Sequence, residues 1–392
     1  MTLDLDRSKW QRVKFSDFAQ NVNDRVDDPQ TAGVDRYVGL EHLDPGSMTV
    51  NRWGSPDQVE ATKLRFKSGD VIFGRRRAYQ KKVARADFAG ICSAHAMVLR
   101  AKTESIDPDF LPVFLSSDCF LDRAIQISVG SLSPTVNWKT LSVQEFDLPP
   151  LDQQRRIADL LWTVEKYLDS LAIRARALAD LLGAQREEGV WGSSHEEKAL
   201  SAVVESCEYG TSERCVTDAA EERTPVLRIP NVVTGKVTLQ DLKYLPRAVS
   251  ASDSSAVVSG DFLVVRTNGN PDYVGAGALV PSLDGVFLYA SYLLRIRVDP
   301  SILKPEFLDA GWKAQTMRRQ LVPYIRSSAG NYNLSASSLL SRKFPVPSIE
   351  VQRAICSGIR DTETALDAAE AEVTQATALR GNLISKVFGG GQ

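Results

Sequence analysis

From residue 157 onward, apolar or small side chains fall at Ile157, Leu161, Val164, Leu168, Leu171, Ala175, Leu178 and Leu182, in alternating steps of four and three. That spacing is the heptad signature of a helix with a narrow apolar seam. Arg155, Asp159, Lys166, Asp169, Arg174 and Arg176 keep its other faces polar, which a helix covering a globular core would not need to this extent. Pro149-Pro150 marks its start, because proline is tolerated in the first turn and not within a helix. The same start recurs 198 positions later: Gln154, Arg155 and Ile157 return as Gln352, Arg353 and Ile355 after Pro347. The second seam reads Ile355, Ile359, Thr362, Leu366, Ala369, Val373 and Ala376, and departs only at Arg380. Helices of about 35 residues span roughly 50 Å. A seam so regular asks for a partner, and the simplest arrangement pairs the two helices antiparallel, with Ile157, Leu161, Val164, Leu168, Leu171 and Leu178 facing Ile355, Ile359, Leu366 and Val373. The alternative, that each helix covers its own domain, stays open at this level.

Shorter patterns before each helix also repeat. Gly69-Asp70 feeds the apolar run Val71-Ile72-Phe73 and then Arg75, as Gly260-Asp261 feeds Phe262-Leu263-Val264-Val265 and then Arg266. Residues 93–100 correspond to 290–297, both read as strands, and Pro108-Asp109-Phe110-Leu111 corresponds to Pro305-Glu306-Phe307-Leu308, a helix start. The openings at 13–18 and 198–203 are alike. The offset grows along the chain, as insertions in the loops of the second copy would make it. The expected organisation is therefore a domain at 1–150, a spacer helix at 151–192, a second domain at 193–347 and a second spacer helix at 348–392. Each domain mixes strands and helices, so the fold class is α+β (mixed α/β), duplicated about a pseudo-two-fold.

Length and composition narrow the function. At 392 residues the chain exceeds one ordinary core, and its net charge of −2 does not advertise a nucleic-acid binder. The charge is uneven, however: Arg75-Arg76-Arg77 with Lys81-Lys82, and Arg318-Arg319 with Arg326, concentrate cations that a neutral total conceals. The charged Met1-Thr2-Leu3-Asp4-Leu5-Asp6-Arg7 start and the lack of any long apolar run predict a cytoplasmic protein without membrane contact. Cys92, Cys119, Cys207, Cys215 and Cys356 stand apart with no CxxC pair, so neither zinc nor a disulfide framework is expected, and they read as buried small hydrophobes.

Two diverged domains, each followed by a Pro-rich turn, a Gln-Gln-Arg or Val-Gln-Arg helix start and a heptad helix, resemble the DNA-specificity (HsdS) subunits of type I restriction–modification enzymes. The resemblance runs over essentially the whole chain. Gly39-Leu40-Glu41-His42-Leu43-Asp44-Pro45 with residues 69–75 is similar to one class of that family's target recognition domains. Tyr209-Gly210-Thr211-Ser212 with Pro225-Val226-Leu227-Arg228-Ile229-Pro230-Asn231 is similar to another. The resemblance implies a non-catalytic reader of a bipartite, asymmetric site in double-stranded DNA, its paired helices acting as a ruler. It also implies docking of two modification methyltransferase subunits, which motor-nuclease subunits join in the family. S-adenosylmethionine, ATP and Mg would then belong to those partners, with no cofactor or metal in this chain.

Residue chemistry suggests where such reading would occur. Arg75, Arg76, Arg77, Tyr79, Gln80, Lys81 and Lys82 follow an apolar strand. Arginine can grip guanine O6 and N7, glutamine can grip adenine, and lysine suits phosphate; a plain solvated hairpin is the alternative. The corresponding loop of the second copy offers Arg266, Asn268, Asn270 and Tyr273, poorer in charge and richer in amides, so it should read a different sequence. A further loop precedes each long helix, with Asn137 and Lys139 in one copy and Arg326, Tyr332 and Asn333 in the other, although a structural turn is the simpler reading of any one residue.

Two other classes compete. Asn270-Pro271-Asp272-Tyr273 resembles the Asn-Pro-Pro-Tyr or Phe loop of amino-methyltransferases, but it lacks the second proline, and no upstream Gly-x-Gly turn offers a place for S-adenosylmethionine. No phosphate-binding Gly-x-x-x-x-Gly-Lys loop exists, Pro56-Asp57 lacks nuclease partners, and His42, His95 and His195 form no triad. His95 reads as a core histidine on a strand. The remaining rival is a coiled-coil scaffold joining two protein-binding domains.

Overall fold

A computed structural model describes residues 6–192, 195–220, 222–328 and 330–389. Readings that touch Met1 to Leu5, the boundary at 193 or Ala329 lie outside these residues. The chain divides into two compact units, Met1–Ile173 with Glu370–Gln392, and Arg174–Ala369. Each of the two long helices, Leu151–Ala184 and Ile349–Phe388, therefore gives one part to each unit.

In the first unit the central sheet is antiparallel, in the order Ala19–Val22, Met97–Ala101, Val71–Phe73, Val83–Arg85. A second sheet orders Arg25–Val26, Lys63–Phe66, Gly90–Ser93 and Tyr37–Val38, and a two-stranded ribbon joins Gln11–Lys14 to Glu145–Leu148. Helices Phe110–Leu115 and Asp118–Gln126 bury Phe110, Phe114 and Phe120 with Phe15, Phe18, Phe73 and Phe146. The second unit repeats this plan. Its central sheet orders Val204–Tyr209, Leu293–Val298, Phe262–Val265 and Gly277–Leu279; a smaller sheet orders Lys243–Leu245, Thr224–Leu227 and Leu288–Tyr289; and Glu197–Ala199 pairs with Lys343–Pro345. The ribbon in each unit places the domain's first strand beside the strand that leads into the following helix.

The repeated sequence motifs are the joints of this plan. Gly69 and Gly260 adopt φ of 90° and 94°, a region that glycine enters without the strain other residues incur. The following aspartates are buried in the turn. Asp70 accepts from the Lys67 amide and, through both oxygens, from Arg100 at 2.6 and 2.7 Å. Asp261 accepts from the Val258 amide and from Arg297 at 2.7 and 2.8 Å.

The Gln-Arg helix start has an equally specific role. Gln154, only 2% exposed, accepts from the Asp107 amide at 2.8 Å and donates to the Pro149 carbonyl at 2.8 Å. Gln352, fully buried, accepts from the Lys304 amide and donates to the Ile302 and Pro347 carbonyls. The side-chain amide thus ties the first turn of the long helix to the segment before helix Phe110–Leu115 or Pro305–Trp312. Replacing Gln154 by leucine should cost about 1–3 kcal/mol, because a buried amide and carbonyl lose their partner. Thermal unfolding compared with an exposed control such as Arg156→Leu measures it.

Within each unit the helices pair antiparallel. In the first, Val164, Leu168 and Leu171 meet Val373 and Ala376. Arg380, where the heptad pattern departs, reaches Glu165 at 2.7 Å, both side chains nearly buried, and the other Glu165 oxygen accepts from the Met48 amide at 2.8 Å. In the second, Arg186 reaches Glu363 at 2.6 Å, and Leu182 joins the cluster holding Cys356 and Ile359. Glu165 and Glu363 are 198 positions apart, so the duplicated glutamate receives an arginine from the opposite helix in each unit.

Several expectations need correction. Ile157 and Leu161 belong to the first domain's core cluster, which also includes Val387, and Ile355 and Ile359 belong to the second domain's. At those ends the seam serves both roles, since Leu383, Ile384 and Val387 share the cluster of Ile157 and Leu161, and Leu182 and Val190 share that of Ile355 and Ile359; a dedicated helix seam holds at Val164 to Leu171. Leu178 is half-buried, and Leu366 packs at the margin of the second core. Residues 93–96 are a turn between strands, because the Ala96 amide bonds back to the Ser93 carbonyl, and His95 is exposed there and not in a core. Among the cysteines only Cys92 and Cys356 are buried; Cys119 is exposed. Among the described residues no helix is long and apolar enough to cross a membrane.

Candidate nucleic-acid interface

At the end of each central sheet opposite the Gly-Asp turn, segments far apart in sequence meet. In the first domain the Val136 amide donates to the Arg75 carbonyl at 2.9 Å, and the Arg77 amide to the Pro134 carbonyl at 2.7 Å. The loop after strand Val71–Phe73 is thereby joined to the loop before the long helix. In the second domain the Leu334 amide makes the equivalent bond to the Arg266 carbonyl at 2.8 Å. There the contact widens into a three-stranded sheet, Thr267–Asn268 against Asn331–Asn333 against Arg326–Ser328. The two candidate loops in each domain therefore form one surface.

Arg75 and Arg266 occupy equivalent places and do the same work. Arg75 donates to the Ala94 carbonyl at 3.2 Å, and Arg266 to the Ser291 carbonyl at 3.3 Å. Each is half-buried with its Nε unpartnered, so each guanidinium holds the adjacent turn. Arg76 and Arg77 differ: Arg77 is exposed and its Nε donates to the Ser133 hydroxyl at 3.4 Å, and Arg76 lies 3.1 Å from His95 Nε2. Lys81 is engaged by Asp118 at 2.6 Å and by Asp122 at 3.6 Å, and that hydrogen bond to Asp118 raises its pKa. Lys82 donates to the Leu40 carbonyl at 2.5 Å. Of the five cations in this loop, Arg76 and Arg77 are thus the two best placed to meet an external anion.

Backbone strain marks the same loop. Arg77 and Lys81 adopt φ of 57° and 51°, flanking the short turn Ala78–Gln80. Left-handed non-glycine residues cost about 1–3 kcal/mol each and cluster where a site needs an imposed shape. Tyr79, 52% exposed, and the half-buried Gln80 sit on that turn. Asn137 and Lys139 are exposed at the start of helix Trp138–Leu141.

The second domain presents amides and aromatics instead. Asn268 accepts from the Asn270 amide at 2.7 Å and Asn270 from the Asp272 amide at 3.0 Å, so part of their capacity shapes the loop itself. That geometry is turn chemistry and assigns no target-amine role to Asn270-Pro271-Asp272-Tyr273. Tyr273 and Arg326 are exposed, and Tyr332 and Asn333 half-exposed. Sequence reasoning quoted Tyr209 only within a family motif and gave neither it nor Tyr292 a contact role; they are 52% and 58% exposed around Arg266, and the Arg266 guanidinium lies 4.8 Å from the Tyr209 ring centre. Leu132, within the loop before the first long helix, is 91% exposed beside Ser133. The signal available was their position next to the diverged arginine loops.

Comparison with known proteins bears on the family and the fold of the chain. A family profile described as type I restriction modification DNA specificity domain matches residues 8–176, the first domain and most of the first long helix. The EcoKI specificity subunit of Escherichia coli (strain K12) is 22% identical over 352 residues, 85% of this chain and 74% of its own length. The StySPI specificity subunit of Salmonella potsdam is 20% identical over 357 residues, 86% of this chain and 75% of its own. The S subunit of the type-I restriction–modification system of M. genitalium superposes with a TM-score of 0.61 at 14% identity, covering 99% of this chain and 98% of that one. A chain solved in work on assembly and conformational transition of the type I R-M system gives 0.56 at 19%, covering 97% and 98%. Those superpositions establish a shared fold across both halves; residues 8–176 match the type I restriction modification DNA specificity domain, and over most of its length the chain is similar to type I restriction enzyme specificity subunits.

Proposed function

We propose that this chain is the DNA-reading specificity subunit of a type I restriction–modification complex and carries no catalytic centre of its own. Each domain reads one half of a bipartite, asymmetric site in duplex DNA, and the helices set the unread gap. The observation that carries this reading is the duplicated convergence of loops at one end of each central sheet. The scaffold bonds repeat, Val136 to Arg75 and Leu334 to Arg266, while the exposed side chains around them differ. Agreement in scaffold with divergence at exposed loops is what two readers of different sequences require.

The helices, with exposed polar faces along their length, are the proposed docking surface for two modification methyltransferase subunits. Motor-nuclease subunits would join that complex, and S-adenosylmethionine, ATP and Mg would be bound by the partners. Mapping methylated adenines genome-wide, in cells with and without this chain, tests the reading directly. A bipartite methylated motif that vanishes with the chain supports it, and an unchanged methylome refutes it.

The ruler role has its own test. Adding one heptad to both helices, about 10 Å of rise, should lengthen the unread gap by about three base pairs and leave both half-site sequences unchanged. Altered half-site sequences would refute it.

A further inference from the structure

A third segment meets the two candidate loops in each domain, and nothing in the repeat of the sequence drew it there. It is the tight turn that precedes the central strand Met97–Ala101 or Leu293–Val298. In the first domain the Arg76 amide donates to the His95 carbonyl at 3.3 Å; in the second the Arg266 amide donates to the Tyr292 carbonyl at 3.0 Å. The turns are held from further sides. Ala96 bonds back to Ser93, His95 donates its amide to the Ser93 hydroxyl, and Arg75 caps Ala94. In the second domain Leu293 bonds back to Ala290, Ser291 donates to Thr211, and Arg266 caps Ser291.

The backbone is thus fixed while the side chain at its apex is left in solvent. His95 is exposed and Tyr292 is 58% exposed. A rigid backbone presenting an exposed polar or aromatic side chain is the arrangement that accurate recognition demands. We propose that His95 and Tyr292 are specificity-determining residues, each contacting a base edge in the half-site its domain reads. The inference rests on the DNA-reading function proposed above.

The chemistry at His95 can be taken further. Its Nε2 lies 3.1 Å from Arg76 Nη1. A guanidinium only donates, so Nε2 accepts and the ring proton sits on Nδ1, an assignment made from the hydrogen-bond pattern. Burial, and then the charges of Arg76, Arg75 and Lys63, hold the His95 pKa below the ordinary histidine value, which favours the neutral ring. The imidazole accordingly offers an N–H donor beside the Arg76 guanidinium, a pair suited to the guanine O6 and N7 or thymine O4 acceptors of the major groove. Tyr292, with a hydroxyl that both donates and accepts, would discriminate differently at its place.

The test uses the full chain assembled with its methyltransferase, and duplexes carrying the mapped site with every single base-pair change in either half. His95→Ala should relax discrimination at one base pair of the first half-site by roughly 5- to 150-fold, leaving the second half unchanged. Tyr292→Ala should do the reverse. His95→Asn, which suits an exposed turn, covers the case in which alanine disturbs folding, and should show the same relaxed position. Unchanged discrimination, or uniform weakening across all sequences, would overturn the proposal. The Arg76→Ala/Arg77→Ala variant separates the two levels of inference. If it weakens binding while His95→Ala and Tyr292→Ala discriminate as before, the turn assignment alone fails. If it too is without effect, the DNA-reading surface itself is misplaced.

Discussion

Replacing Asp70 by alanine should lower the local stability of the first domain's central sheet by about 3 kcal/mol, the low end of what breaking a buried ion pair costs. Asp70 is fully buried and takes both guanidinium contacts of Arg100, whose side chain is 29% exposed; that partial exposure is why the low end applies. The change also strips the Lys67 amide of its acceptor. Because the chain holds two domains, one unfolding free energy would not be well defined. Hydrogen exchange of the amides in strands Val71–Phe73 and Met97–Ala101 isolates the effect, with strand Phe262–Val265 as the internal reference. Asp261→Ala should reverse the pattern, since Asp261 holds Arg297 in the same way. Unaltered protection in both strands of the mutated domain would show that the Gly-Asp turn does not depend on the pair.

Arg76→Ala/Arg77→Ala should weaken binding to the cognate duplex by about 2–6 kcal/mol, two contacts at about 1–3 kcal/mol each. The salt dependence of binding should become shallower if either arginine meets phosphate. Arg75 is left out of this variant because its guanidinium caps the Ala94 carbonyl, so its loss would confound stability with binding. Competition with duplexes altered in one half only should place the whole effect in the first half-site. Equal affinity for variant and parent would refute the assignment of this loop. Asn268→Ala/Asn333→Ala, in the second domain, supplies the complementary measurement.

How far the chain could be read in advance depended on the range of the interactions. The long helices, Leu151–Ala184 and Ile349–Phe388, were legible because their signals are local: proline at the start, a polar face and a seam of steps four and three. The Gly-Asp turns were legible for the same reason. The seam's partner was not, because i, i+4 spacing says which face is buried and not what covers it. Ile157 and Leu161 satisfy the same pattern as Leu168 and Leu171 yet belong to a domain core. Arg380 seemed to end the seam and instead continues it as an ion pair with Glu165, which only a residue from the other helix could reveal. The turn holding His95 read as strand because Ala94 and Ala96 alternate into an apolar run, while the bond that closes it is a backbone one.

The amino-acid sequence alone determined the duplication, the α+β class, the positions of the two long helices and the family resemblance, because each rests on short-range pattern or on motif order repeated along the chain. Tertiary structure decided which side chains of the candidate loops are already engaged within the protein. Arg75, Arg76, Arg77, Lys81 and Lys82 are chemically alike in sequence, and what separates them is whether a carbonyl or carboxylate from a distant segment has already taken their hydrogen bonds. Tertiary structure also gathered His95 and Tyr292 to the candidate loops, since backbone bonds between segments about 20 to 70 positions apart cannot be inferred from either segment by itself.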